Sequence, residues 1–335
     1  MRLVEEYRGT ILENIHEGLI CIVDKCGAIE YAIGDPNTVV FYRSASKPIQ
    51  ALPILALGLD KVFGFCDEEL AVMASSHRGE AFHITAVEGI LKKIGLDEDR
   101  LCMLPGYPNH IESRDALIKR GSPKRKIYHN CSGKHAAALA LAVYMGVSVE
   151  GYWQIEHPVQ QLMLSTIAKF TDIPIENIGI GVDGCGVPVF AVPLKAMALG
   201  ALRLANPEFI ADIAYANAAL RLGQIISRLP LYITGTDYIC SLVNMDDNLF
   251  AKGGAKGVYT IGMRSPQMGI AFKVLDGTEE SWPLIINEIF RQIGYNNAAG
   301  RERMLKLAKP DIINDNGDAV GEARCVFELN RKTAR

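Results

Sequence analysis

The 335-residue sequence lacks the features that mark several common protein classes. No segment reaches the ~18 uninterrupted apolar residues that a membrane-spanning helix needs. The formal charge is only −3, and no basic run is longer than three residues, which argues against a nucleic-acid-binding surface. The first residues are charged and lack the apolar core of a secretory leader. We therefore expect a cytoplasmic protein that binds neither nucleic acid nor a membrane.

Two further absences concern cofactors and disulfides. The first predicted strands, at 19–23 and 28–33, form a hairpin, and no Gly-x-Gly-x-x-Gly follows them, so we expect no nucleotide cofactor. The eight cysteines show no Cys-x-x-Cys spacing, and most of them should be reduced and buried. Because 49% of the residues are apolar, the chain can bury a large core, as one domain or as a domain with an added lobe.

One short pattern places a hydroxyl beside an amine. Residues 38–42 are β-branched and aromatic, which suits a strand, and the mostly apolar residues 49–57 suit a buried helix. Ser44 and Lys47 thus lie at a helix start, where side chains three residues apart are neighbours. A lysine whose pKa is lowered by burial can activate a serine as a nucleophile. By itself, the pattern is better explained by a helix-capping serine and a solvated lysine.

Polar and glycine-rich stretches recur between the predicted elements. Residues 75–80 place a hydroxyl, an imidazole, a guanidinium and a carboxylate between two predicted helices. Residues 129–135 precede a predicted helix at 136–145, whose first N–H groups are free to bind an anion. Glycines at 183–188 allow a close backbone approach to a ligand, and 252–257 form a lysine- and glycine-rich strand entry.

The order of these patterns is that of serine β-lactamases and penicillin-binding proteins. In those enzymes Ser-x-x-Lys opens a helix, a serine lies in a loop of the helical region, and Lys-Thr-Gly lies on a late strand. The matching residues in this chain are Ser44 with Lys47, Ser76 and Lys252. Gly253 stands in place of the threonine, so the likeness is one of layout.

A closer resemblance extends over nearly the whole chain. Five stretches resemble, in order, the motifs of the rhizobial type of asparaginase II family: 43–50, 74–80, 129–135, 183–188 and 252–255. This resemblance implies an α+β fold like those of serine β-lactamases and glutaminases, with a mixed, mostly antiparallel sheet flanked by helices. It also implies a single domain over residues 1–335, in which the N- and C-terminal parts form the sheet and a helical region lies between them.

The family resemblance implies an L-asparagine amidohydrolase that releases L-aspartate and ammonia. Two Ser-Lys pairs act in such enzymes, and they match Ser44 with Lys47 and Ser76 with Lys252. Lys256 stands where the family usually has a glutamate. The sequence therefore leaves open whether Lys252 or Lys256 is the second catalytic lysine.

The resemblance also implies a metal position formed by Cys131, Lys134 and Cys185, which is a zinc site in relatives. Two thiolates suit Zn²⁺, whereas a lysine amine is an unusual ligand. The alternative is that both cysteines are merely buried. A homodimer is expected from family habit alone.

The predicted substrate-binding residues are Arg43, Arg78, Asp183 and His135. We expect Asp183 to pair with the α-ammonium group of the substrate, and Arg43 or Arg78 to pair with its α-carboxylate.

Three alternatives stay open at this stage. A glutaminase differs by one methylene in the substrate, which is worth only ~1–3 kcal/mol in a pocket. A penicillin-interacting hydrolase fits the motif order, but the expected lack of a leader argues against a cell-wall substrate. A non-catalytic protein that binds zinc or an amino acid would lose no measurable property in Ser44→Ala.

Overall fold

The computed structural model describes residues 1–308 and 310–331. Residue 309 and residues 332–335 of the predicted domain lie outside this described part. The strands are β1 Arg2–Arg8, β2 Ile11–Val23, β3 Ile29–Ile33, β4 Val39–Phe41, β5 Gly179–Val182, β6 Pro188–Pro193, β7 Leu249–Gly254, β8 Val258–Met263, β9 Met268–Val274, β10 Asp311–Ile313 and β11 Ala319–Cys325.

The α-helices follow in chain order between the strands. They are α1 Lys47–Ala56, α2 Leu59–Phe63, α3 Asp67–Met73, α4 Ala81–Lys93, α5 Ile111–Lys119, α6 Ser132–Met145, α7 Pro158–Thr171, α8 Leu194–Ala205, α9 Ile213–Arg228, α10 Ile239–Asn244, α11 Trp282–Gln292 and α12 Ala298–Leu307. None of the described helices is long and apolar enough to cross a membrane.

The main sheet joins the two ends of the chain. Its strands lie in the order β10-β11-β1-β2-β9-β8-β7, and β3 also pairs with the long strand β2. A small second sheet has the order β4-β6-β5. Every strand pair of the described residues is antiparallel. The expected α+β class with a mainly antiparallel sheet is confirmed.

Helix α8 packs on β8 and β9 at unusually short range. A Cβ atom at Gly269 would lie 2.0 Å from the carbonyl oxygen of Ala198, and one at Gly262 would lie 2.1 Å from that of Ala201. Only glycine permits this approach, because it has no Cβ. The sheet is therefore held at a fixed distance from the helical region.

Helix α1 forms the centre of that helical region. Every residue from 47 to 54 is buried, and the helix packs against α6, α7 and α9. The apolar run at 49–57 was enough to predict this buried helix, which the structure confirms as Lys47–Ala56. The segment that precedes α1, residues 43–46, therefore leads directly into the core.

Candidate active site

Ser44 lies in a short 3₁₀-helix, Arg43–Ser46, between β4 and α1. Arg43 has a φ of 50°, which is uncommon for a residue with a side chain, and its Nε donates to Asp183 Oδ1 at 3.0 Å. From the other side, a Cβ at Gly254 of β7 would lie 2.8 Å from the backbone oxygen that precedes this helix. The backbone around Ser44 is thus fixed by contacts on two sides.

Lys47 is buried, and its amine is held by the segment after α3. Nζ donates to the backbone oxygen of Ser75 at 2.8 Å and to Ser76 Oγ at 3.0 Å. It also lies 3.2 Å from Cys131 Sγ. Within the described residues no hydrogen bond joins Lys47 to the Ser44 hydroxyl. The resting contact of this amine is therefore with Ser76, whereas the sequence suggested Ser44 as its partner.

The two candidate second lysines lie in different surroundings. Lys252 on β7 is only 2% exposed and donates to the backbone oxygen of Gly253 at 2.7 Å. Burial lowers the pKa of its amine to about 8, and the nearby charge of Lys47 acts in the same direction. Lys256 is exposed in the turn between β7 and β8, with a φ of 68°. Only Lys252 faces the cavity that contains Ser44.

A small cavity brings four of the predicted residues together. It has a volume of about 180 Å³, and Ser44, Ser76, Arg78 and Lys252 all contribute to its wall. This volume lies below the ~300–1,000 Å³ of pockets for drug-sized ligands. The cavity therefore suits a small polar molecule.

The loop that carries Ser76 and Arg78 is fixed by the segment 233–236. The backbone N–H groups of Ser76 and Arg78 donate to carbonyls of that segment at 3.0 and 2.9 Å. The buried Glu80 carboxylate accepts two hydrogen bonds from Thr236, from its N–H and its hydroxyl, each of 2.8 Å. These contacts give Ser76 a defined position opposite β7.

Two charged groups of opposite sign, Arg78 and Glu279, line the cavity. The Arg78 guanidinium stacks over the Tyr238 ring at 3.9 Å from its centre. Glu279 precedes α11, and partial burial of its carboxyl raises its pKa, although Arg78 and Lys252 oppose this. Sequence reasoning missed Glu279 and Tyr238, because neither lies in a patterned stretch. It also gave no separate role to Asn130, which lines the same cavity.

The two cysteines and the lysine predicted for metal binding also lie close together. Helix α6 begins at Ser132, so Lys134 lies in its first turn, whereas the sequence predicted a loop until 136. This boundary was wrong because the polar residues at 132–135 point into the core, where local patterns predict apolar residues. Lys134 Nζ lies 3.3 Å from Cys185 Sγ and 3.9 Å from Asp183 Oδ2.

The charges in this cluster stabilise one another. A hydrogen bond from Cys131 is the main cause that lowers the pKa of the Cys185 thiol to about 5, against the effect of burial, and Lys134 adds to it. Burial opposes the charged form of Lys134, but the neighbouring sulfur atoms and Asp183 raise its pKa. A thiolate and an ammonium group therefore coexist near neutral pH.

The cluster offers zinc two donors of the preferred kind. The Cys131 and Cys185 sulfur atoms converge, and one of them is already a thiolate, so the sulfur pair fits Zn²⁺. Lys134 would have to lose its proton before it could act as a ligand. No group of three or more His, Cys, Asp or Glu side chains within residues 1–308 and 310–331 is arranged to hold a metal ion.

Three predicted substrate-binding residues do not line the cavity. Arg43 and Asp183 form an ion pair with each other, with Arg43 Nη2 at 2.9 Å from Asp183 Oδ1. His135 is fully buried, and its Nδ1 lies 2.8 Å from the Tyr152 hydroxyl. Burial lowers the pKa of His135 to about 3, so this ring is neutral. Of the predicted substrate-binding residues, only Arg78 faces the cavity directly.

The sequence of this chain is similar to a known protein family over nearly its whole length. A model of the L-asparaginase II family matches residues 4–325. The chain belongs to the L-asparaginase II family. The resemblance seen in the five sequence stretches is thereby confirmed, and membership in this family supports an amidohydrolase that acts on a small molecule. A search of curated proteins finds no match.

Solved structures similar to this family member share little sequence with it. A protein from Bacteroides dorei, described as a β-lactamase, is 12% identical, with a TM-score of 0.43 over 87% of this chain and 91% of its own. A β-lactamase from Mycobacterium bovis is 13% identical, with a TM-score of 0.39 over 82% and 94%. A Bacillus glutaminase is 13% identical, with a TM-score of 0.37 over 88% and 90%.

Proposed function

We propose that this protein is an L-asparaginase that hydrolyses the side-chain amide of L-asparagine to L-aspartate and ammonia. The observation that carries this proposal is the 180 Å³ cavity, in which two serine hydroxyls face a buried lysine amine. The lysine is Lys252, whose pKa of about 8 leaves part of it neutral near physiological pH. Membership in the L-asparaginase II family supports amide hydrolysis as the reaction.

The first step forms an ester and releases ammonia. Ser44 attacks the amide carbon, and a buried amine accepts the serine proton. In the proposal this amine is Lys47, and Ser76, at 3.0 Å from it, passes the proton to the leaving nitrogen. The C–N bond breaks and ammonia departs with that proton, so the lysine is restored.

The second step hydrolyses the ester. Lys252 removes a proton from a water molecule, the hydroxide attacks the ester carbon, and the proton returns to the Ser44 oxygen as aspartate leaves. Both steps develop an oxyanion, which needs N–H donors. Ser44 and Ala255 both line the cavity, and their backbone N–H groups are the proposed donors.

The ends of the substrate need charged partners. Arg78 faces the cavity and is proposed to bind the α-carboxylate, since a guanidinium suits this group. The predicted contacts of Asp183 and Arg43 with substrate require their ion pair to open, because each now neutralises the other. His135 is proposed to act through packing behind Lys134.

Zinc is part of the proposal as a resident ion held by Cys131, Cys185 and a deprotonated Lys134. When bound, it would supply positive charge beside Asp183 and fix the orientation of that carboxylate. No catalytic step above requires it, because a serine nucleophile is present. The homodimer also stays a prediction, which light scattering of the purified protein would test.

The test measures ammonia released from L-asparagine and L-glutamine by the wild type and Ser44→Ala, with and without added zinc. We expect asparagine turnover, a loss of at least about 10⁴-fold in Ser44→Ala, and little change in Ser46→Ala. Ser46→Ala is the matched control, because it also removes a hydroxyl from this 3₁₀-helix. The Ser46 hydroxyl donates to the Arg43 carbonyl at 2.8 Å.

Each other outcome selects a different interpretation. Faster turnover of glutamine would favour the glutaminase alternative. An inactive wild type under both zinc conditions would overturn the enzyme proposal in favour of a binding protein.

A further inference from the structure

A second and larger chamber adjoins the catalytic cavity. Its volume is about 520 Å³, compared with about 180 Å³ for the cavity itself. Five side chains line both spaces: Arg78, Tyr238, Ile239, Glu279 and Trp282. A ligand that fills the cavity therefore contacts side chains that also line the outer chamber.

The outer chamber is strongly acidic. The carboxylates of Glu6, Asp237, Glu279 and Glu280 line it, whereas Arg78 is the one cationic side chain that the described residues contribute. Low-dielectric walls with charges of one sign concentrate ligands of the opposite sign. The chamber therefore favours an ammonium or guanidinium group and disfavours a carboxylate.

The wall of the chamber also contains polar atoms that lack partners. Ser281 and Trp282 are only 5% and 4% exposed, and both line the outer chamber. Ser281 Oγ and Trp282 Nε1 have no hydrogen-bond partner among the described residues. A buried polar atom without a partner is costly, and an indole N–H can only donate. Both atoms are shielded in the structure as it stands, so a ligand carbonyl oxygen satisfies such a donor when the side chain turns toward the chamber.

We propose that the outer chamber is a subsite for a cationic extension on the amino group of the substrate, so that the enzyme accepts aminoacyl-asparagines with a basic first residue. This inference rests on the proposed function, because the catalytic cavity must hold the side-chain amide. The free α-carboxylate of such a dipeptide still meets Arg78. The bond that breaks is again the side-chain amide, with water consumed and ammonia released.

Each part of the dipeptide has a matching group in the chamber. Its peptide carbonyl suits the unpartnered donors of Ser281 and Trp282. Its ammonium and basic side chain suit Asp237 and Glu280, which line the outer chamber but not the catalytic cavity. Glu279 lies where the two spaces meet and suits the junction between asparagine and its extension.

The experiment measures the binding of two dipeptides, Lys-Asn and Glu-Asn, to full-length Ser44→Ala by calorimetry. We expect Lys-Asn to bind about tenfold more tightly than Glu-Asn at low salt. When Asp237→Asn and Glu280→Gln are both added to Ser44→Ala, the preference for Lys-Asn should fall to about twofold. Asparagine suits position 237, because it tolerates the φ of 57° that Asp237 adopts.

Controls separate charge in the chamber from charge elsewhere and from misfolding. Asp115→Asn removes a carboxylate from α5, outside both chambers, and should retain the full preference for Lys-Asn. Asp237→Asn and Glu280→Gln made singly, each at an exposed position, should each lower the preference partly. Equal binding of the two dipeptides, or a preference that survives the double change, overturns the subsite.

Failure of the subsite and failure of the proposed function give different results. If the wild type does not hydrolyse L-asparagine but the Lys-Asn preference holds, only the asparaginase proposal fails. If L-asparagine is hydrolysed and both dipeptides bind equally, the subsite alone is overturned. If both proposals hold, the wild type releases ammonia faster from Lys-Asn than from Glu-Asn at low concentrations of each.

Discussion

Replacing Lys252 with methionine should change how the stability of the protein depends on pH. Methionine has a similar length but no charge, so it fills the space beneath β7 without an ammonium group. Burial lowers the pKa of Lys252 from 10.5 to about 8, because the ionised amine loses its water. The wild type therefore carries an energetic cost at neutral pH that Lys252→Met lacks.

The size and sign of this cost follow from the two pKa values. Below about pH 8, the amine is protonated in both the folded and the unfolded chain, and the cost is about 3 kcal/mol. Between about pH 8 and 10.5, the unfolded chain binds more protons than the folded one, so stability rises with pH. Above that window the amine is neutral in both states and the cost is gone.

Urea unfolding of the wild type and Lys252→Met between about pH 7 and 10.5 measures this effect. The free energy of unfolding of the wild type, relative to Lys252→Met, should rise by about 3 kcal/mol across the range. Titrating groups that do not interact with Lys252 are common to both proteins and cancel in the difference. Lys256→Met, in the exposed turn of the same hairpin, is the matched control for the loss of one lysine. A difference that stays constant with pH would refute the burial argument.

Three other changes have defined expectations. Lys47→Met should lower kcat/KM for L-asparagine by at least ~10²-fold with an unchanged circular dichroism spectrum, because it removes the proposed base. Glu80→Gln should cost about 1–3 kcal/mol in urea unfolding, because the buried carboxylate accepts two hydrogen bonds from Thr236. Burial is the largest single effect on His16 and disfavours its charged form, but Asp276 and Glu6 together outweigh it and raise the pKa above 6.5. His16 should therefore stabilise the protein fully below pH 6.5, and this stabilisation should be lost as the pH rises through the raised pKa of His16. His16→Gln should remove it. Urea unfolding of both proteins from about pH 5 to 8 measures the difference.

The sequence predicted those elements that bury an apolar face. The hairpin at 19–23 and 28–33 and the helix at 49–57 were found because their apolar residues lie in short continuous runs. Strand β2 in fact begins at Ile11, and its first four residues are exposed. Strand β1 carries four charged residues among seven. Strand β1 pairs with β11 and with the first part of β2. Such pairing between distant segments cannot be predicted from a local sequence pattern.

The sequence located the motifs of the site better than their contacts. It placed Ser44, Ser76 and Lys252 in separate stretches, and the fold brings all three to one cavity. It did not predict that Lys47 contacts Ser76 in the resting state, because these residues meet through the packing of α1 on the segment after α3. Glu279 was missed because a carboxylate in a turn has no local feature that distinguishes it from a solvated one.

The balance of charge around the cavity explains why its lysines can have different roles. Lys134 lies beside the Cys185 thiolate and Asp183, and these neighbours favour its ammonium form. Lys252 lies in an equally dry place, but its nearest polar contact is a backbone carbonyl, so its ammonium form is destabilised. Burial is thus common to both amines, and the strength of the neighbouring anions decides which is a fixed charge and which is a base, because Cys240 and Glu279 raise the pKa of Lys252 too little to offset its burial. Introducing a carboxylate next to Lys252 would, by the same reasoning, raise its pKa and convert a base into a second fixed charge.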